Sequence, residues 1–195
     1  MGGTFNPPHL GHLVCAEEVN DHFKFDKVMF IPSARPPHKD NSGILDAQHR
    51  YMMTVLATQD NPRFEVSRIE LDRPGQSYSI ETVKQLREIY GADADIHWIV
   101  GADAILEMFI WKDVDELLTI CRFIAINRPG YDLSQADPRF MNKVQVFRTT
   151  NVDISATEIR RRVEQGRSIK YLVPPDVEKY IYKNGLYRHA HDTDS

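Results

Sequence analysis

The sequence contains only two cysteines, and both lie in apolar stretches. Cys15 lies within HLVCAEEV and Cys121 within LLTICRFIAI. The cysteine and histidine spacing of a zinc site is absent from the sequence. Two buried, reduced thiols are the simplest interpretation, and they favour a reducing compartment over a secreted, disulfide-rich fold.

Long hydrophobic runs and an excess of basic residues are absent as well. No apolar stretch approaches the length of a transmembrane helix, and the first residues are rich in glycine and proline, unlike a secretory signal. The formal net charge of −4 disfavours a protein that coats nucleic acid. We therefore expect a cytoplasmic protein that binds neither membrane nor nucleic acid, although a local basic site for a small anion is compatible with this composition.

The residues that are present fit one globular domain. Of 195 residues, 42% are hydrophobic and 27% are charged, which is enough to build one well-filled core. We assign residues 1–187 to a single domain. The short polar tract 188–195 is expected to be a disordered tail without a function.

Strand and helix patterns alternate along the chain. Apolar runs bounded by turn residues predict strands at 27–32, 63–71, 96–100, 122–127 and 143–147. Apolar spacing and capping residues predict helices at 11–23, 47–59 after the N-cap Asp46, 79–90 with Ser79 as the cap, 103–110, 114–120, 154–166 and 174–184. Segment 128–140 is predicted to be an irregular loop. This alternation predicts an α/β fold with a doubly wound, mostly parallel sheet, whose ligands bind in loops beyond the carboxyl ends of the strands.

The segment GGTFNPPHLGH has the composition of an anion-binding loop. Gly2 and Gly3 let backbone N–H groups approach a phosphate, and the two prolines stiffen the loop. His9 precedes the first predicted helix and His12 lies in its first turn, while Gly11 leaves room for a ligand. For an isolated His-x-x-His pair, the alternative is a turn with one buried and one exposed histidine.

This loop resembles the first motif, T/H-x-G-H, of the nucleotidyltransferase α/β-phosphodiesterase superfamily. ISATEIR (154–160) resembles the second motif of that superfamily, I-S-S-T-x-x-R. Further segments are similar, in order, to bacterial nicotinate-nucleotide adenylyltransferases: PPHK (36–39), QSYSIETV (76–83), WIVGADAI (98–105), NRPGY (127–131) and YLVPPDVEKYIYKNGLY (171–187). The resemblance covers nearly the whole chain and implies a Rossmann-like nucleotidyltransferase fold.

The resemblance implies transfer of an adenylyl group from ATP to nicotinate mononucleotide, a step of NAD biosynthesis that releases pyrophosphate. The attacking phosphate is already an anion, so positioning and charge neutralisation suffice for catalysis. Mg²⁺ is implied as a cofactor bound through the ATP phosphates, which suits a sequence without a carboxylate cluster for a metal. The implied partners are the two nucleotides, and a homo-oligomer is left open.

The resemblance also assigns residues to roles. The catalytic contacts with phosphate fall to His9, His12 and Arg160. ATP binding falls to Gly2, Gly3, Thr4, Phe5, Gly11, Gly101, Asp103 and Ser155. Binding of the nicotinate nucleotide falls to Lys39, Tyr78, Ser79, Thr82 and Trp111.

Several of these residues have a plainer interpretation. Arg160 belongs to a run of three arginines that can all be surface charges on a capped helix. Helical geometry buries Ile159 and Val163 and exposes Arg161, and Ser155 with Glu158 forms a capping-box pattern ahead of Gly166 at the helix end. Asp103 can cap the next helix, Trp111 can be a core residue, and Lys39 can be a mobile surface lysine.

Three features depart from the family pattern. An apolar strand normally precedes the two glycines, and here Met1 stands directly before them, so we expect the first strand to be missing from this sequence. Asn6 replaces a commonly acidic residue, which keeps a turn-forming side chain but removes a charge. Ala156 replaces the second serine of the second motif and removes one phosphate donor.

Other functions remain as alternatives. A related adenylyltransferase would use another acceptor, such as nicotinamide mononucleotide or phosphopantetheine, although the pairing of SYSIET with Trp111 disfavours phosphopantetheine. A catalytically silent nucleotide-binding regulator would keep the fold, but retention of His9, His12 and Arg160 argues against it. An aminoacyl-tRNA synthetase is excluded by the short chain and by the absence of a lysine-rich second motif.

Overall fold

Strands form where short runs of β-branched and aromatic residues occur, as in VMFIP and RFIAIN. The structure is a computed structural model and describes residues 1–37, 43–127 and 136–188. Its strands are β1 (Gly2–Gly3), β2 (Val28–Pro32), β3 (Phe64–Val66), β4 (His97–Gly101), β5 (Arg122–Asn127) and β6 (Val144–Arg148).

Helices fill the segments between these strands. They are α1 (Leu10–Phe23), α2 (Ala47–Thr58), α3 (Ser79–Tyr90), α4 (Ala102–Leu106), α5 (Val114–Ile120), α6 (Pro138–Met141), α7 (Ala156–Glu164) and α8 (Pro175–Lys183), with a 3₁₀ turn at Met108–Ile110. The predicted positions of the long helices are thereby confirmed. Among the described residues, none of these helices combines the length and apolarity needed to cross a bilayer.

The strands are parallel and arranged around a reversal of order. β1 pairs with β2 and β2 with β3, while β4 pairs with β5 and β5 with β6. The two three-stranded sheets meet where β1 contacts β4, giving the spatial order β3-β2-β1-β4-β5-β6. This order confirms the predicted doubly wound fold, and such sheets bind ligands at the point of reversal.

Helices cover both faces of the sheet. On one face, Val19 of α1 packs in a buried cluster with Ile99 and Ile124. On the other face, Val83 of α3 packs in a cluster with Phe123 of β5 and Leu117 of α5. Neighbouring strand residues therefore point to opposite cores, which explains the continuous apolar runs in β4 and β5.

A third cluster joins α2, α7 and α8 beside the sheet. Met53, Ile159 and Ile181 are all fully buried in it. Both cysteines are buried and free, as predicted. Burial raises the pKa of the Cys121 thiol to about 12, so this residue is a packing element and not a nucleophile.

The apolar residues that normally precede the two glycines are not in this sequence, but the glycines, expected to be part of a loop, themselves form a two-residue strand. Gly2 and Gly3 pair in parallel with Ile31 and Pro32 of β2, and the Ile31 N–H donates to the Met1 carbonyl over 2.9 Å. A side chain at Gly2 would lie 3.0 Å from the Trp98 indole. The first glycine therefore serves the packing of an aromatic ring of the protein as well as the ligand cavity described below.

Three other predictions were wrong in detail. The strand predicted at 63–71 ends at Val66, because a turn closed by an Asp72 N–H to Arg68 carbonyl bond of 2.9 Å replaces it. Tyr78 and not Ser79 is the N-cap of α3. The loop predicted at 128–140 ends in α6, which Asp137 caps by accepting from the Arg139 N–H; residues 128–135 lie outside the described part.

Candidate active site

A cavity of about 710 Å³ opens at the carboxyl ends of β1, β2 and β4. It lies at the reversal of strand order, where the sequence predicted a ligand site. Of the predicted site residues that the structure describes, all but Gly11 and Thr82 line it. Lys39 lies outside the described residues.

The two histidines stack on one another at the start of α1. His9 is the N-cap of this helix and His12 lies in its first turn, as predicted, with ring centroids 3.7 Å apart. The His9 backbone N–H donates to His12 Nδ1 over 3.1 Å. The neutral His12 ring therefore carries its proton on Nε2, which makes Nε2–H the donor of this side chain.

Gly11 has a different use from the predicted one. A Cβ at this position would lie 3.1 Å from Nδ1 of His9 and 3.5 Å from the Val152 carbonyl oxygen. The missing side chain therefore makes room for the His9 ring, and Gly11 itself does not line the cavity. The structure therefore gives Gly11 a role in the packing of the His9 side chain.

Arg160 of α7 reaches across to the loop that follows β1. Its Nη1 donates to the Asn6 carbonyl oxygen over 2.8 Å and its Nη2 to the Thr157 hydroxyl over 3.2 Å. The Asn6 side chain is buried: its amide donates to the Gly43 carbonyl, and its Oδ1 accepts from the Tyr187 hydroxyl over 2.9 Å. A carboxylate could not make the bond to Gly43, so the departure from an acidic residue has a structural use.

The three arginines of α7 have separate surroundings. Arg160 lines the cavity, whereas Arg161 and Arg162 form ion pairs with Glu158. Because Glu158 also binds Arg167, the predicted capping box is only half formed: Ser155 accepts from the Glu158 N–H over 3.1 Å, while the Glu158 carboxylate binds arginines.

The rest of α7 follows the helical spacing in the sequence. Ile159 and Val163 are buried as predicted, and Arg161 is exposed on the other face. Gly166 follows the helix with a φ of 64°, the conformation predicted for a residue that ends a helix. Ser155 and Ala156 line the cavity at the helix start.

A buried arginine supports the loop after β1 from behind. The Arg50 side chain is 1% exposed and donates to the carbonyl oxygens of Thr4, Ala34 and Leu45 over 2.8, 3.3 and 2.9 Å. Burial lowers the pKa of this guanidinium. Arg50 thus ties the loop after β1 to both ends of the connection between β2 and α2, and both loops contribute residues to the cavity.

Gly101 and Asp103 lie where β4 ends. Gly101 is the N-cap of α4 and Asp103 lies in its first turn, so Asp103 is not the cap that the sequence allowed. A Cβ at Gly101 would overlap the Asp103 carboxylate. Glycine is therefore needed here for the carboxylate to fold back along the cavity wall.

The cavity has two chemically different walls. The basic wall consists of His9, His12 and Arg160. The aromatic wall consists of Tyr78, Trp111 and Lys112, with Ser79 beside them at the start of α3. Lys112 Nζ lies 4.6 Å from the centroid of the Tyr78 ring.

Thr82 does not reach this aromatic wall. Its side chain is fully buried, and its hydroxyl donates to Glu70 over 2.7 Å while accepting from Arg73. The predicted contact of Thr82 with a nucleotide therefore needs correction. The side chain instead fixes the first turn of α3 against Glu70, which lines the cavity, and burial raises the pKa of the Glu70 carboxyl.

Sequence reasoning missed several residues that shape this site. Arg50, Glu70 and Lys112 carry no motif of their own, and Tyr187 lies 181 positions from its partner Asn6. Arg50 could have been noticed as an arginine on the apolar face of a predicted helix. The others depend on tertiary contacts that no local pattern reports.

The parallel sheet with this cavity at its reversal of order defines a nucleotide-binding α/β protein of the doubly wound class. Residues 1–162 match the cytidylyltransferase-like family, and the chain belongs to that family.

Curated relatives match over nearly the full length of the chain. A protein of Thermoanaerobacter sp. (strain X514) named "Probable nicotinate-nucleotide adenylyltransferase" is 49% identical over 96% of this chain and 92% of its own. A protein of Moorella thermoacetica with the same name is also 49% identical, over 96% of this chain and 90% of its own.

Solved structures share the fold. The nicotinic acid mononucleotide adenylyltransferase of Plasmodium falciparum, complexed with NaAD, superposes with a TM-score of 0.77 at 18% identity, over 95% of this chain and 94% of its own. A similar structure from Vibrio parahaemolyticus, described as a putative nicotinate-nucleotide adenylyltransferase, has a TM-score of 0.67 at 22% identity, over 96% of this chain and 93% of its own.

Proposed function

We propose that this chain transfers the adenylyl group of ATP to the 5′-phosphate of nicotinate mononucleotide, giving nicotinate adenine dinucleotide and pyrophosphate. The observation that carries the proposal is one cavity with both a basic wall, suited to phosphates, and an aromatic wall, suited to a planar ring. The names of relatives at 49% identity support the same reaction. Two buried free thiols support a reducing, cytoplasmic setting.

The proposed reaction needs no activated side-chain nucleophile. An oxygen of the 5′-phosphate forms a bond to the α-phosphorus of ATP, and the bond to the oxygen that bridges the α- and β-phosphorus breaks. Pyrophosphate leaves with that electron pair, so no proton has to move. Nε2–H of His12 and the guanidinium of Arg160 would bind the negative charge that develops on the phosphate oxygens.

The donor set of the site fits a Mg²⁺ ion that arrives bound to ATP. Across residues 1–37, 43–127 and 136–188, no three His, Cys, Asp or Glu side chains are close enough together to hold a metal ion. Phosphate oxygens and water would therefore be its ligands, and Asp103 and Glu107 of the cavity wall would be the carboxylates available to accept hydrogen bonds from that water. When bound, the ion supplies neutralisation of the pyrophosphate charge.

The test is an assay of the purified chain with ATP, Mg²⁺ and either nicotinate or nicotinamide mononucleotide, in which pyrophosphate and dinucleotide are both measured. We expect nicotinate adenine dinucleotide to form. His12→Ala should lower kcat by about 100-fold or more, as loss of a transition-state donor does, while the free energy of unfolding falls by only about 1 kcal/mol, because the His9 N–H loses its acceptor. His22→Ala is the matched control, since His22 lies exposed in the last turn of the same helix. Binding of ATP without product, or full turnover by His12→Ala, would overturn the proposal.

A further inference from the structure

Lys112 belongs at once to the cavity and to an ion pair at its rim. Its Nζ lies 4.6 Å from the centroid of the Tyr78 ring and 2.6 Å from Oε1 of Glu81. The side chain is 44% exposed and lines the cavity next to Trp111. The ammonium therefore lies beside the Tyr78 ring, in a cavity that Trp111 also lines and that would receive a planar base.

Lys84 forms an ordinary surface ion pair that serves as a reference for Lys112. Lys84 Nζ lies 2.8 Å from Oε1 of Glu116, and the two side chains are 47% and 49% exposed. Neither residue lines the cavity. Lys112 and Lys84 each pair with a glutamate and have similar exposures, but only Lys112 lines the cavity. Comparing substitutions of the two lysines therefore shows what the position in the cavity contributes to ligand binding.

The ion pair between Lys112 and Glu81 can be broken at little cost in free energy. Glu81 lies in the first turn of α3, and its second oxygen, Oε2, lies 3.7 Å from Nε of Arg73. If the ammonium of Lys112 binds another anion instead, the Glu81 carboxylate still has its ion pair with Arg73 and its contact with water. Exposed ion pairs of this kind contribute little to stability, so the exchange of one carboxylate for another is nearly balanced.

The charge of the aromatic wall favours an anionic ring substituent. The hydrogen bond with Glu81 raises the pKa of the Lys112 ammonium, which therefore stays charged at neutral pH. Of the three carboxyl groups that line the cavity, Glu70, Asp103 and Glu107, Glu70 is buried, and burial favours its neutral form. A carboxylate on a bound ring would thus find a cation within reach, whereas a neutral carboxamide would leave the Lys112–Glu81 pair intact.

We propose that Lys112 makes the site prefer a pyridine mononucleotide with a ring carboxylate over one with a carboxamide, and that Glu81 weakens this preference by competing for the same ammonium. The inference rests on the proposed function, because it assumes that the ring lies against Tyr78 and Trp111. It assigns Lys112 a selectivity role and gives Glu81 an opposing one. A salt bridge that merely held the fold would give both residues the same role.

The experiment compares Lys112→Met, Lys112→Arg, Glu81→Gln and the control Lys84→Met in the full-length chain. Calorimetry gives the dissociation constants of nicotinate and nicotinamide mononucleotide, and the assay with ATP and Mg²⁺ gives kcat and KM for each. We expect Lys112→Met to weaken nicotinate mononucleotide binding and raise its KM by about tenfold, with the nicotinamide values and kcat within about twofold. Lys112→Arg should keep most of the preference. Glu81→Gln should strengthen nicotinate mononucleotide binding by about threefold, and Lys84→Met should change neither constant.

The decisive result is that Lys112→Met and Glu81→Gln change the affinity for nicotinate mononucleotide in opposite directions. If both variants weaken nicotinate mononucleotide binding, or if Lys112→Met weakens both mononucleotides alike, the inference is wrong and the pair is structural. If the wild type binds nicotinate mononucleotide in a Lys112-dependent manner but forms no dinucleotide, the proposed function fails and the inference stands. If it binds neither mononucleotide, both fail.

Discussion

The guanidinium of Arg160 donates to the backbone carbonyl of Asn6 over 2.8 Å, joining two residues 154 positions apart. Asn6 is in turn held by the Tyr187 hydroxyl, which donates to its Oδ1 over 2.9 Å. The loop after β1, helix α7 and the end of the described chain therefore meet at one buried residue, Asn6. The position of Arg160 in the basic wall depends on all three segments.

Tyr187→Phe tests this connection. Loss of the hydroxyl removes one bond to Asn6, whose Oδ1 keeps only the longer contact of 3.4 Å from the Leu45 N–H. We expect the free energy of unfolding to fall by about 1 kcal/mol and the KM for ATP to rise several-fold, because Arg160 loses part of its support. Urea denaturation and steady-state kinetics measure the two effects. Tyr182→Phe is the control, because this tyrosine of α8 is exposed; equal effects of the two substitutions would contradict the connection.

Arg50→Met should be among the most destabilising single substitutions in the chain. The buried guanidinium binds three backbone carbonyls from two loops, and methionine would leave all three without that donor. We expect a loss of about 3–5 kcal/mol in the free energy of unfolding, measured by urea denaturation.

Two further variants separate charge from geometry at this position. Arg50→Lys keeps the charge but not the planar fork of donors, so it should lose an intermediate amount. Arg63→Met, at an exposed site before β3, should change the free energy of unfolding by no more than about 0.5 kcal/mol. A loss for Arg50→Met as small as that for Arg63→Met would show that the three carbonyls are satisfied by water instead.

The sequence was sufficient to predict the order of the longer strands and helices, because each of them carries its own periodicity or cap, but not the short elements β1 and α6. It was also sufficient to predict the placement of His9 and His12 around the start of α1, since a helix N-terminus is a local feature. Gly11 shows the limit of such reasoning. Its position next to His9 could be foreseen, but the sequence did not show whether the space left by the missing side chain is filled by a ligand or by the His9 ring. Thr82 and Arg50 needed the tertiary fold, because their partners Glu70 and Thr4 come from other elements.

Gly11→Ala should impair activity although alanine is the better helix former. In most exposed helix positions this change stabilises a protein by about 0.5–1 kcal/mol. Here the new methyl group would lie 3.1 Å from the His9 ring, closer than an ordinary contact, so the ring has to shift by a few tenths of an ångström. We expect kcat to fall by about tenfold or more, since small displacements of positioned groups are costly. A variant with wild-type kcat and raised stability would show that the His9 position tolerates the methyl group.

Glu70 should make stability depend on pH in a direction opposite to that of an ion-paired carboxylate. Burial raises the pKa of this carboxyl above its ordinary value of 4.5, against the lowering effect of the Thr82 hydroxyl and Arg73. Between the unfolded and the folded pKa, the folded state binds more protons than the unfolded state. The contribution of Glu70 to the free energy of unfolding is therefore complete below about pH 4.5 and declines as the pH rises through the raised folded pKa.

Glu70→Gln isolates this effect, because glutamine copies the neutral carboxyl and does not titrate. We expect the difference in free energy of unfolding between Glu70→Gln and wild type to shift in favour of the variant as the pH rises above about 4.5, then to level off above the folded pKa. Urea denaturation at a series of pH values measures it, with Glu65→Gln as the control, because Glu65 is exposed and pairs with Lys27 at the surface. A difference that stays constant with pH would mean that Glu70 has the same pKa in the folded and unfolded chain, and a difference that moves towards wild type would mean that Arg73 and the hydroxyls outweigh burial.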